Sequence, residues 1–63
     1  MSEHLRRRLI GKKARIVVET IHKTVILEGK IIEYAKPFIL IETNGKTRAI
    51  NENYTKEIII IDS

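Results

Sequence analysis

Six basic side chains crowd the first fifteen residues: Arg6, Arg7, Arg8, Lys12, Lys13 and Arg15, against a single acid, Glu3. Residues 1–15 carry a formal +5 and the rest of the chain −1, which together make the net +4. The chemistry such a run can do is anion binding. Guanidinium forks grip phosphate oxygens bidentately, lysines meet them as point charges, and each neutralised phosphate releases counterions. Nucleic acid is the commonest partner for a charge asymmetry of this kind. The competing explanation is a solvated, solubilising terminus, since charge runs often do nothing specific. Lys23, Lys36, Lys46 and Arg48 form a second rank of phosphate ligands, because they fall in or beside expected turns and so near the rims of a small fold.

Other chemistry finds few residues to use. There is no Cys, Ser2 and Ser63 are terminal, and Asp62 is the single aspartate. Glu28 and Glu33 are five apart along an expected strand and so point to opposite faces. No nucleophile with a partner and no general acid–base pair can be assembled, so no enzyme activity and no cofactor are expected. His4 and His22 are too isolated for a metal site. The three aromatics are Tyr34, Phe38 and Tyr54. Exposed rings stack on unpaired bases; Tyr34 and Tyr54 are candidates for that role, and Phe38, at a regular apolar position, is expected in the core.

The elements that must position these residues are read from periodicity. A chain of 63 residues makes one domain, 1–63, and without disulfides its core must come from aliphatics, of which the thirteen isoleucines are the largest group. Residues 2–9 read as a short helix: Ser2 is the N-cap, Leu5 and Leu9 share a face, and Gly11 sits at the C-cap position. This gives a basic helical arm over 1–11. From Lys13 the period becomes two, with Ala14, Ile16 and Val18 on the apolar face of a first strand.

Residues 20–23 connect to a second strand over 24–33, with Val25, Leu27, Gly29 and Ile31 facing inward. A glycine inside a strand weakens it unless a bend or a close backbone approach requires it, so Gly29 predicts a sharply coiled strand. A turn through Pro37 leads to a third strand, 38–43. Asn44-Gly45 signals a two-residue type I′ hairpin, and strands over 46–50 and 57–61 follow. Ile58, Ile59, Ile60 and Ile61 place apolar residues on both faces of the last strand. Either the N-terminal helix covers the second face through Leu5 and Leu9, or a neighbouring subunit or partner protein does. The expected fold is all-β: a small five-stranded antiparallel barrel over 12–61 with a short N-terminal helix, Sm/SH3-like in its strand order and size.

Several stretches resemble known families. Gly29-x-Ile31-x-x-Tyr34-x-x-x-Phe38, then Leu40-Ile41, matches the spacing of the first Sm motif. The uridine-binding polar residues of Sm proteins have Ala35 and Ile39 in their place, and Arg48 is followed by Ala49 where the second Sm motif has Arg-Gly. A uridine pocket is therefore not carried over. Leu9-Ile10-Gly11, the basic strand Lys12 to Val18, Glu28-Gly29-Lys30-Ile31-Ile32-Glu33 and Leu40-Ile41-Glu42-Thr43-Asn44-Gly45-Lys46 resemble the Sm-fold protein subunit of archaeal and eukaryal ribonuclease P. That resemblance covers roughly residues 9–48. The bent hairpin is also similar to Hfq-like ring proteins, although their Tyr-Lys-His signature is absent from residues 49–53.

What the resemblance implies is a non-catalytic RNA-binding component of a ribonucleoprotein. Its partner would be ribonuclease P RNA or ribosomal RNA, held by the basic residues with Tyr34 and Tyr54. The alternative it leaves is a homo-oligomeric ring or protein adaptor built on Ile58 to Ile61. Phosphate screening does not separate RNA from DNA. No apolar run nears the roughly 20 residues of a membrane span, and the first residues lack the apolar stretch of a signal peptide, so a soluble, cytoplasmic protein without membrane partners is expected.

Overall fold

A computed structural model of the chain describes residues 7–62. Its elements are β1 (Lys13–Glu19), β2 (Thr24–Ala35), β3 (Phe38–Thr43), β4 (Lys46–Asn51), a one-turn 3₁₀ helix (Glu52–Tyr54) and β5 (Thr55–Asp62). All neighbouring strands are antiparallel, in the spatial order β4-β3-β2-β1-β5. The all-β, five-stranded antiparallel expectation holds. Of the expected helix over 2–9, residues 2–6 lie outside the described residues; Arg7 is helical and residues 8–11 form turns, with Ile10 N–H donating to Arg7 O at 3.3 Å and Lys12 N–H to Leu9 O at 3.1 Å, so no helix is seen over 8–9. No helix among the described residues is long and apolar enough to cross a membrane.

Alternation builds one buried face. Ala14 and Ile16 from β1, Ile31 and Tyr34 from β2, Ile39 and Ile41 from β3 and Ile50 from β4 are all buried, and Leu9, Val18, Leu27 and Ile58 pack against them. The strands of one sheet thus supply every member of the buried cluster, so the sheet must coil over its own face. The connection from β4 to β5 demands the same. In a flat sheet four strand spacings would hold the two edges about 19 Å apart, whereas a 3₁₀ turn of three residues advances only about 6 Å. The edges therefore converge at this end, where Thr55 Oγ1 donates to Asn51 O at 3.4 Å. The sheet is nevertheless not closed. Every partner of β4 lies on β3 and every partner of β5 on β1, so the barrel predicted over 12–61 is an open, coiled sheet.

Gly29 lies where the coil is tightest. Upstream, β2 pairs with β1, from Thr24↔Glu19 to Lys30↔Lys13; downstream it pairs with β3, from Lys30↔Glu42 to Ala35↔Phe38. Lys30 is the hinge residue shared by both ladders. A Cβ on the inward-facing Gly29 would stand 2.5 Å from the Glu42 carbonyl oxygen and 3.2 Å from Thr43 Cβ, so only glycine permits this approach of β3 backbone.

One residue later the alternation breaks. A register shift between Ile31 and Glu33 leaves Ile32 without a partner, a bulge that advances the inward phase by one. Tyr34 becomes a core residue, and its partner Ile39 is buried in place of Phe38, which is 42% exposed opposite Ala35. The expectation of a buried Phe38 is corrected by the phase of β3 itself: its alternation is unbroken, so buried Ile41 and Ile39 put Phe38, one residue from Ile39, on the outer face. The Asn44-Gly45 turn is as expected, with φ of 53° and 76° at its two residues.

Candidate nucleic-acid interface

The basic run enters the sheet through β1, and the register of the β1–β2 hairpin decides what it meets. Thr20 closes that hairpin. Its N–H donates to Lys23 O at 2.9 Å, while its hydroxyl accepts from the N–H groups of His22 and Lys23 at 3.3 and 3.2 Å. With Glu19 thereby opposite Thr24, Arg15 falls opposite Glu28 and Lys13 opposite Lys30, all on the outer face. Arg15 donates to Glu28 Oε2 from Nε and Nη2 at 3.3 and 3.1 Å. Its charge is therefore matched within the protein, although an exposed pair of this kind contributes only about 0–1 kcal/mol to stability. Lys13 and Lys30 form no ion pair among the described residues.

These two lysines line a shallow groove of about 670 Å³ over the Gly29 bend. Gly11, Gly29, Thr43 and Asn44 also line it, and Glu28 and Glu42 contribute the acids. Lys30 was not singled out from the sequence. The signal was nonetheless there: a four-residue connection closing on Glu19 and Thr24 fixes every pair of the hairpin, including this one.

The other expected ligands are scattered. Arg6 lies outside the described residues. Arg7 is exposed, with its guanidinium 6.0 Å from the centroid of the Tyr34 ring, the reach of a cation–π contact. Arg8 is exposed and Lys12 half-buried; Lys23 and Lys36 are exposed in the β1–β2 and β2–β3 turns. Lys46 and Arg48 are exposed on β4, opposite Thr43 and Ile41 respectively. Sharing the side of buried Ile41, Arg48 is an inward-pointing charge on an edge strand, a feature that also guards an edge against pairing with another chain.

Tyr34 is 3% exposed, and its hydroxyl donates to Glu52 Oε2 at 2.5 Å. A ring so covered does not stack on a base, which corrects the expectation for Tyr34. The physical reason is the bulge at Ile32, which turns Tyr34 inward. Tyr54 sits in the 3₁₀ turn at 56% exposure, open to stacking. Of the isoleucine run, Ile58 is opposite Ile16 and packs on the core, whereas Ile59, Ile60 and Ile61 are 38–40% exposed along the β5 edge.

Comparison with family models, with curated proteins and with solved structures finds no match for this chain.

Proposed function

We propose that this protein is a non-catalytic RNA-binding component of a ribonucleoprotein, screening phosphates and stabilising RNA structure in the manner of an Sm-fold ribonuclease P subunit or a small ribosomal protein. The coiled sheet is taken as an Sm/SH3-like barrel left open along the seam between β4 and β5, in a soluble, cytoplasmic setting. The observation that carries the reading is the basic segment leading into β1 and ending at Lys13 opposite Lys30, two cations side by side on one face. Across the sheet the register row runs Asp62, Lys13, Lys30, Glu42, so each lysine also has an acid as its partner on the other side. A solubilising role explains dispersed charges but gives no reason to set two cations directly opposite one another.

Crosslinking the tagged protein to nucleic acid in its native cell, then sequencing what remains bound, tests this. One abundant structured RNA at a defined site supports a dedicated subunit and names the particle. A diffuse set of transcripts, DNA, or nothing above background overturns it. A second reading has its own observation: Ile59, Ile60 and Ile61 lie exposed on the edge strand β5, a surface suited to self-association or to a protein adaptor. Light scattering separates the two, since a stable hexamer or heptamer favours a ring and a monomer counts against it.

A further inference from the structure

The groove over the Gly29 bend has a feature that general phosphate screening does not require. Side chains directly opposite on antiparallel strands start about 4.5–5.5 Å apart at Cβ, so the ammonium groups of Lys13 and Lys30 can converge on a single anion. Neither is answered by an ion pair among the described residues. Of the two acids lining the groove, Glu28 is engaged by Arg15, which leaves Glu42, the register partner of Lys30 on β3; outside the groove lining, Asp62 on β5 is the register partner of Lys13. Gly11 and Gly29 line the groove without side chains, and Thr43 and Asn44, whose side chains can donate, also line it.

We infer that Lys13 and Lys30 jointly hold one phosphodiester of the bound RNA strand in this groove, with Glu42 as the opposing charge that limits its affinity. The inference rests on the RNA-binding reading and adds to it the site, the atoms and the sign of each contribution. Because the two lysines share one phosphate, their effects do not add. Because Glu42 competes for Lys30, neutralising it strengthens binding.

The test uses the full chain and a fluorescent RNA hairpin with a single-stranded tail, titrated by anisotropy across a series of salt concentrations. Lys13→Gln and Lys30→Gln each weaken binding several-fold, the double variant loses less than the product of the two, and its salt slope falls by about 0.7–0.9, the value for one phosphate. Glu42→Gln binds more tightly than wild type. Lys36→Gln, in the β2–β3 turn, serves as the lysine control and leaves the coupling between positions 13 and 30 unchanged.

Wild-type binding with unaltered affinity and slope in the double variant overturns the groove and leaves the RNA reading standing. So does full additivity of the two substitutions. If the wild type does not bind the hairpin, crosslinking in the native cell decides the RNA reading, and titration with orthophosphate followed by amide NMR decides the groove alone. Saturable shifts at Gly11, Lys13, Lys30 and Asn44 that vanish in the double variant uphold an anion site; shifts spread evenly over all basic residues dismiss it. Thermal melts guard against misfolding: the substitutions remove one like-charge pair together with the opposite-charge register pairs Lys30↔Glu42 and Lys13↔Asp62, so a melting temperature close to wild type is expected.

Discussion

Replacing Gly29 by alanine tests the central claim about the fold. The new Cβ would sit 2.5 Å from the Glu42 carbonyl oxygen and 3.1 Å from its carbon. Carbon–oxygen contacts in sheets settle at about 3.3 Å or more, so β2 and β3 must separate by about 0.8 Å at this point. Backbone faces backbone here, and no flexible side chain can move aside. Overpacking of this sort costs about 1–3 kcal/mol, offset by about 0.4–1 kcal/mol from the smaller conformational freedom of alanine in the unfolded chain. A net loss of about 1–2 kcal/mol is expected. For a domain of this size each kcal/mol lowers the melting temperature by about 4–8 °C, which puts the expected drop at about 4–16 °C by circular dichroism or calorimetry.

Gly45 supplies the contrast, because a Cβ there meets nothing within 4 Å and only its φ of +76° favours glycine. Gly45→Asn should therefore be nearly neutral, since asparagine tolerates that conformation, whereas Gly29→Asn should be at least as damaging as Gly29→Ala. A Gly29→Ala variant melting within about 2 °C of wild type, less than half a kcal/mol by the same conversion, would falsify the close approach and with it the reason given for the bend.

Two further stability predictions follow from the core. Tyr34→Phe removes the donor to Glu52 Oε2 while keeping the ring, and should cost about 1–2 kcal/mol in urea melts; an unchanged midpoint would mean the hydroxyl is satisfied equally well by water. Ile16→Ala empties a fully buried position on β1 and should cost about 2–5 kcal/mol, much of the roughly 3–9 kcal/mol available to a chain of this length. Loss of the cooperative melt is the expected result, and a drop of only a few degrees would place Ile16 at a site that collapses readily.

Much of the sheet was legible because its signals are local. The Asn44-Gly45 turn follows from two residues that accept positive φ, and the inward set Ala14, Ile16 and Ile31 follows from plain alternation around an inward Gly29. What escaped was the bulge at Ile32. No residue there advertises it, since the sequence Ile31-Ile32-Glu33 continues an ordinary strand, and the bulge arises from the demand that β2 leave β1 for β3. Its consequence is that Tyr34 moves into the core opposite Ile39; Phe38 faces out for a different reason, the unbroken alternation of β3 around buried Ile39 and Ile41. The openness of the sheet was hidden for a related reason, because strand count and order are the same in a closed barrel and in a coiled sheet whose edges meet only at a 3₁₀ turn. The Lys13–Lys30 juxtaposition lay within reach of the sequence, but only after committing to the hairpin register.

That register also explains why the groove and the core can be tested separately. Shifting β1 against β2 by one residue would carry Ala14 and Ile16 to the solvent face and the lysines inward, so burial of the apolar set is what holds Lys13 opposite Lys30. The lysines themselves do nothing to hold it; as like charges they oppose it. Substitutions at 13 and 30 therefore act on the outer surface of a sheet whose alignment is fixed from within, and their effect on RNA binding can be read as an effect on contact. Gly29 has no such independence. It admits β3 to the bend, and so sets where Lys30 stands relative to both Lys13 and Glu42. If the groove holds a phosphate, a Gly29 variant should lose RNA affinity even at temperatures where it is fully folded, while Ile16→Val, a milder change that faces the core and does not line the groove, should lower stability and leave affinity intact.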